Sequence, residues 1–273
     1  MMMMKLLNDK YTDKNILNVF ANTGAEDERT LVFVNECESR WGIKVHWVEA
    51  DVNKERGLGT RHKIVSFDTA SRNGEPFYDV CSKYGIPNTA FNHCNREMKL
   101  APIHSLAMDV FKSKSKFCNY QTAIGIRVDE IDRMMIDKDK FNFVYPLISD
   151  FRLTKQHVMD FWDNQSFDLN LPENFGNCIT CFKKSDRKLA TIGRESDGAF
   201  DLFSDLERKF GHINAPEKNR VFFRNNRSVD EIIKLRYDSS IKSFVEIKSS
   251  SYNLEFDFDL DLDEPCSHEC SLT

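Results

Sequence analysis

Over residues 1–111 of this 273-residue chain, short apolar runs alternate with stretches of helical period, and this alternation restricts the fold more than any other feature. Residues 1–11 place apolar side chains on a helical period, and 16–21 (Ile-Leu-Asn-Val-Phe-Ala) form a short β-rich run of the kind buried in a parallel sheet. Asn22, Thr23 and Gly24 then read as a turn. Residues 26–41 return to a helical period through Leu31, Val34, Cys37 and Trp41, and 43–50 alternate through Ile43, Val45 and Trp47 as a strand does. Residues 61–69 read as a further strand, 76–84 and 102–111 as helices, and 122–128 as a buried strand. Residues 154–165 read as an amphipathic helix capped by Thr154. Strands and helices in this order predict an α/β fold with a doubly wound, mostly parallel, Rossmann-like sheet that presents ligand loops at the carboxyl ends of its strands.

From Ser185 the pattern becomes charged and less regular, and within it only 199–210 and 228–237 read as helices. The expected organisation is therefore a main domain over 1–184 and a smaller, mostly helical extension with a cysteine-containing tail over 185–273. In that tail, 253–264 alternate Leu254, Phe256, Phe258, Leu260 and Leu262 with acidic residues, the pattern of a half-buried strand. A hydrophobic content of 41% is enough for a sizeable core. The net charge of -5 gives no overall basic field, which leaves only local basic patches to contact nucleic acid. No run reaches the roughly 18 apolar residues of a membrane span. The apolar start ends at Asn8, Asp9 and Lys10 without a secretory core, so a cytoplasmic location is expected.

Eight cysteines in a chain this large, with no export signal, read as reduced thiols, metal ligands or catalytic thiols rather than as a disulfide framework. Cys37, Cys81 and Cys118 sit in apolar patterns and read as core. Cys178 and Cys181 have the spacing that lets two thiolates reach one metal, and Gly176-Asn177 supplies a turn before them.

Four segments carry a resemblance. The first is Val19-Phe-Ala-Asn-Thr-Gly24 with Glu26 and Thr30; the second is Gly85-Ile-Pro-Asn88, Cys94-Asn-Arg-Glu-Met-Lys99 and Pro102. The third is Ile124-Gly-Ile-Arg127 with Glu130 and Arg133. The fourth is Tyr145-Pro-Leu147, the Thr154 helix and Gly176-Asn-Cys178-Ile-Thr-Cys181-Phe182. In this order they resemble the phosphoadenosine phosphosulfate (PAPS) reductase family, whose members share the PP-loop adenine-nucleotide hydrolase fold. The match runs over residues 15–185, and its style is that of phage and mobile-element relatives in a bacterial cytoplasm.

The resemblance implies an adenine nucleotide, PAPS or ATP, as ligand, with Mg when ATP is the substrate. It implies nucleotide-binding roles for Asn22, Thr23, Gly24, Gly125 and Arg127. Arg96, Lys99 and Arg133 are candidate anion ligands, since guanidinium forks and ammonium groups suit phosphate or sulfate. Arg127 paired with Glu130, and Arg96 with Glu97, are the bland alternatives. Cys94, Cys178, Cys181 and Cys270 form a candidate thiolate set for zinc or a [4Fe-4S] cluster, with Cys266, His93 and His268 as substitutes. A rival use of the tail makes Cys270 the catalytic nucleophile, because Glu269-Cys270-Ser-Leu272 partly resembles the family's C-terminal motif. Its glycine and histidine are absent here. A thiol reductant protein such as thioredoxin would then be a partner.

One departure bears on all of this. The family opens with a strand and a Ser-Gly-Gly phosphate loop, whereas Met1-Met-Met-Met-Lys-Leu-Leu7 resembles the interior of the helix that follows that loop. The expectation is an N-terminally truncated fold whose upstream coding sequence reads in frame as the strand and loop. The alternative is a degenerate member that works as a binding module. The fold also hosts ATP pyrophosphatases, including enzymes of sulfur transfer and nucleic-acid modification, so the resemblance leaves the reaction open.

Overall fold

The computed structural model describes residues 1–55, 57–112, 120–135, 142–215 and 217–244. The expected strand at 253–264, and Cys118, Cys266, His268 and Cys270, lie outside the described residues.

Helix α1 (Met2–Lys10) leads into strand β1 (Val19–Ala21), then helix α2 (Glu28–Trp41) and strand β2 (His46–Val52). The Asp27 side chain caps α2 by accepting from the Arg29 amide, and Gly42 closes the helix in the left-handed conformation. Strand β1 pairs with β2 in parallel, and β2 pairs antiparallel with β3 (Thr60–Val65) along its whole length. The expected α/β class is observed, but the sheet is mixed. Residues 53–59 join β2 to β3, and a parallel crossover needs about a dozen residues or more, so the chain can only turn back on itself.

Helix α3 (Glu75–Tyr84) follows, then a short helical turn α4 (His93–Asn95), a π-helical turn (Arg96–Leu100) and α5 (Ala101–Val110). Of the strand expected at 122–128, only β4 (Thr122–Ala123) pairs, in parallel with β5 (Phe143–Val144). The ladder ends where Ile124 N donates to Val144 O, because Pro146 has no N–H to offer and opens helix α6 (Pro146–Ser149). Helix α7 (Lys155–Asp163) starts at the expected Thr154 cap. It docks on α2 through aromatic rings, with Trp162 stacked on Trp41 at 5.7 Å and tilted against Phe33 at 4.9 Å.

Past Ser185 come α8 (Asp186–Glu195), α9 (Asp201–Phe210) and α10 (Val229–Lys234). Their buried faces do not form a core apart. Leu189, Ile192, Phe203, Leu206, Val229 and Ile232 join one hydrophobic cluster with Phe77, Val80 and Met98. Phe203 and Leu206 point the same way from α9, and burying a side chain of this kind stabilises by about 1.5–3 kcal/mol. A second cluster, with Leu31, Val34, Val45, Trp47 and Ala70, packs α2 on the sheet. Among the described residues no helix is long and apolar enough to cross a membrane.

Candidate functional site

The turn that follows β1 is built by two carboxylates. Asn22 continues the ladder, its amide donating to Val48 O at 2.9 Å. Its side-chain Nδ2 donates to Glu49 Oε1 at 2.7 Å and to Ser71 O at 2.8 Å, and its Oδ1 accepts from Gly24 N at 3.3 Å. Thr23 turns to Glu26, its amide donating to Oε2 at 3.0 Å and its hydroxyl to Oε1 at 2.8 Å. Gly24 has φ of +73° and accepts from Gly74 N at 2.9 Å, which ties the turn to the start of α3. Asn22 and Thr23 are both fully buried, so their side chains shape the turn from within.

The second part of the site comes from the cysteine segment. After a 3₁₀ turn (Glu173–Phe175) and Asn177 in the left-handed region, Cys178 forms an antiparallel bridge with Glu26, and Ile179 N donates to Ala25 O at 3.0 Å. The Cys178 thiol thereby comes within 3.5 Å of Thr23 Oγ1. Cys181 N donates to Cys178 O at 3.1 Å, closing the Cys-x-x-Cys turn. Buried Lys184 fastens this loop from below, its Nζ donating to Asn174 O at 2.6 Å and Ile179 O at 2.8 Å.

The third part is the π-helical turn carrying Arg96 and Lys99. A π-turn inserts one residue into a helix and re-aims the side chains around it. The Lys99 ammonium acts on the Cys178 thiol, pulling against the burial and the Glu26 carboxylate that together push it up to about 12. Arg96 points elsewhere, its Nε donating to Glu97 Oε1 at 2.7 Å, and Thr60 holds the other oxygen of that buried carboxylate.

Two sequence segments therefore meet at Thr23 and Cys178, and the charge of Lys99, from a third, reaches the same thiol. Arg127 makes the ion pair with Glu130 that the sequence raised as its alternative. Arg127 spans Asp129, at 3.1 Å, and Glu130, at 3.2 Å, and Arg133 pairs with the same Glu130. Gly125 lies beside α1 and α6, where a side chain would meet Met3 Sδ at 3.7 Å and Leu147 at 3.9 Å. Cys94 donates to Asn92 Oδ1 at 3.6 Å. Cys270 lies outside the described residues.

Comparison with known proteins places the chain. The "Uncharacterized nin region protein ORF290" of Escherichia phage lambda is 30% identical over 240 residues, covering 85% of this chain and 79% of that protein. The chain belongs to the family of this phage lambda protein. No protein-family model matches the chain, and no solved structure matches it. Within the ORF290 family, the match to the phage lambda protein is long enough that it cannot be confined to either the turn or the helices after Ser185.

A zinc or iron-sulfur group needs four ligands, or three with an open position. Among the described residues no group of three or more His, Cys, Asp and Glu side chains is placed to hold a metal ion. Cys178 and Cys181 supply a pair. His93, raised as a substitute, is buried with Nε2 on Gly85 O at 3.0 Å, and burial lowers it to about 4. Cys266, His268 and Cys270 lie outside the described residues, which therefore hold only part of the expected ligand set.

Sequence reasoning missed Glu49 and Lys184. Glu49 carried a readable signal and Lys184 did not. Glu49 lies in Trp47-Val48-Glu49-Ala50, a run buried on both faces, where an acid must have fixed partners. Lys184 sits three residues past Cys181 in the charged run Lys183-Lys184-Ser185-Asp186, which reads as solvated, so its burial is not marked in the sequence.

Proposed function

We propose that the chain is a PAPS-reductase-like enzyme acting on an adenine nucleotide held near turn 22–24, on a doubly wound sheet of the PP-loop kind. The observation that carries this reading is the meeting of Thr23 with Cys178 at 3.5 Å, with Lys99 acting on the same thiol. These residues come from three of the four segments that resemble the family. Parallel pairing of β1 with β2 and of β4 with β5 is the sheet direction such a fold requires. The reaction is either reduction of a sulfonucleotide through the Cys270 thiol, resupplied by a thioredoxin-like protein, or cleavage at the α-phosphate of ATP with Mg. A bacterial cytoplasm fits both, as does the similarity to a phage protein.

The test is calorimetric titration with ATP and with PAPS, followed by product analysis. Binding of PAPS with release of sulfite supports reduction. Binding of ATP with release of pyrophosphate supports the pyrophosphatase class, which includes sulfur-transfer and nucleic-acid-modification enzymes.

A second reading, a non-catalytic binding module, is favoured by the ion pairing of Arg96, Arg127 and Arg133 to neighbouring carboxylates. Failure of both nucleotides to bind would sink the enzyme reading and leave this one.

A further inference from the structure

We infer that Glu49 is a positioning residue for turn 22–24, acting through Asn22 and Ser71. This rests on the nucleotide reading for its functional consequence and on geometry alone for the positioning itself.

Glu49 is 2% exposed in a strand whose neighbours on either side are apolar and buried. A carboxyl group in such a place destabilises the fold unless its oxygens are occupied. Here Oε1 accepts from Asn22 Nδ2 at 2.7 Å and from Ser71 N at 2.6 Å, and Oε2 accepts from Ser71 Oγ at 3.0 Å. Lys63, across the ladder on β3, brings its Nζ to 3.8 Å from Oε2. One carboxyl group thus joins the end of β1 to the segment that leads into α3.

That segment returns to the same turn a second time. Gly74, three residues past Ser71, donates its amide to Gly24 O. The turn and the 71–74 segment are therefore held at both ends, by Glu49 through Asn22 and by Gly24 directly. Asn22 is the hinge of this arrangement, because its one side chain bonds Glu49, Ser71 O and Gly24 N together. Removing the carboxyl group leaves Asn22 Nδ2 with Ser71 O alone and takes the acceptor from the half-buried Ser71 amide. The turn is then held to the segment before α3 by the Asn22–Ser71 and Gly74–Gly24 hydrogen bonds alone.

The experiment compares wild type, Glu49→Ala, Asn22→Asp and the double variant Asn22→Asp/Glu49→Gln. In Asn22→Asp two carboxyl groups face each other with no donor between them. In the double variant the Gln amide donates to the Asp, restoring the pair with its polarity reversed. The first readout is amide hydrogen exchange in peptides covering 19–26, 69–74 and, as a distant reference, 201–210. The second is the dissociation constant for ATP and for PAPS. Expected are exchange about tenfold faster or more in the first two peptides of both single variants, an unchanged reference peptide, and partial recovery in the double variant. Affinity for whichever nucleotide binds falls and recovers in parallel.

Unchanged exchange at 19–26 in Glu49→Ala overturns the inference, and so does an equal rise in all three peptides, which would mean general loosening. An affinity that stays constant while the turn opens overturns its functional half. If the exchange pattern is as expected but wild type binds neither nucleotide, the nucleotide reading fails and the positioning role stands.

Discussion

Thr23 and Cys178 are 155 residues apart in sequence, and their hydroxyl and thiol lie 3.5 Å apart in a buried setting. The surroundings of this contact set the chemistry open to the cysteine. Burial, then the Glu26 carboxylate, push the thiol up to about 12 against the pull of Lys99. At pH 8 the thiolate, the form that reacts, is then a small minority.

Timed alkylation at pH 8 with peptide mapping should therefore label Cys94 and Cys181, both partly exposed, well before Cys178. Cys37 and Cys81 should lag with Cys178, since burial raises both of these thiols as well. Labelling of Cys178 as fast as Cys181 would show that the loop opens away from Thr23, and that the buried contact is not its resting state.

Gly24 and Gly42 offer a matched pair. Both lie in the left-handed region, with φ of +73° and +62°. A side chain at either costs roughly 1 kcal/mol in backbone conformation. At Gly42 an added Cβ meets nothing within 4 Å, whereas at Gly24 it comes within 3.0 Å of Gly74 N and 3.1 Å of Gly74 Cα. Those are backbone atoms that cannot rotate aside, and moving them stretches the bond from Gly74 N to Gly24 O. Urea unfolding should show Gly24→Ala at least about 1 kcal/mol less stable than Gly42→Ala. Equal midpoints would mean that the turn tolerates displacement, contrary to the close packing between these two loops.

A third expectation concerns pH and the contact of α3 with α9. Tyr78 Oη donates to Asp205 Oδ2 at 2.6 Å, and Lys209 Nζ lies 2.7 Å from the same oxygen. The Lys209 ammonium, the Tyr78 hydroxyl and Arg208 hold Asp205 down at about 2, while the bond to Asp205, then burial, lifts Tyr78 to about 12. The Asp205 contribution is present above its unfolded value of 3.8 and is lost as pH falls towards 2. The Tyr78 contribution has the opposite sense: it is full below 10 and disappears as pH rises through 12. Ultraviolet titration should find one tyrosine ionising near pH 12, and Tyr78→Phe should remove that step. A Tyr78→Phe protein with the same late step would assign it to another ring.

Much of the first 111 residues was legible, because a helix that buries one face writes a 3.6-residue period. Helices α2, α3, α5 and α7 begin and end within a few residues of their expected limits. Strand direction was not legible. Thr60–Val65 alternates equally well in either sense, and the length of the link from β2, rather than the strand itself, makes it antiparallel. The strand expected at 122–128 failed because pairing depends on a partner: β5 is cut short by Pro146, which local alternation around Ile124 cannot reveal. At the site, residue types pointed to Asn22, Thr23, Cys178 and Lys99, but their arrangement depends on Glu49, Glu26 and Lys184. Glu49 stands out as an acid in an apolar strand, but Glu26 and Lys184 are ordinary charged residues in sequence, and only tertiary structure gives them fixed partners.

Arg227 and Asp186 give the last test, on the helices past Ser185. The guanidinium meets the carboxylate as a fork, Nη1 to Oδ2 and Nη2 to Oδ1, both at 2.7 Å, and Nε donates to Arg224 O at 3.2 Å. This ties the first turn of α8 to the residue before the Ser228 cap of α10. Arg227→Lys keeps the charge and loses the second parallel bond and the bond to Arg224. With both partners partly exposed, the loss should be about 1 kcal/mol by urea unfolding at pH 7. The Arg227 hydrogen bond holds Asp186 below its usual value of 3.8, so the pair contributes above that value and fades as pH falls below it. Wild type and Arg227→Lys should accordingly converge in stability as the solution is acidified past pH 3.8. A difference that persists undiminished there would mean that the arginine acts through its stem packing and the Arg224 carbonyl, with the carboxylate contributing nothing.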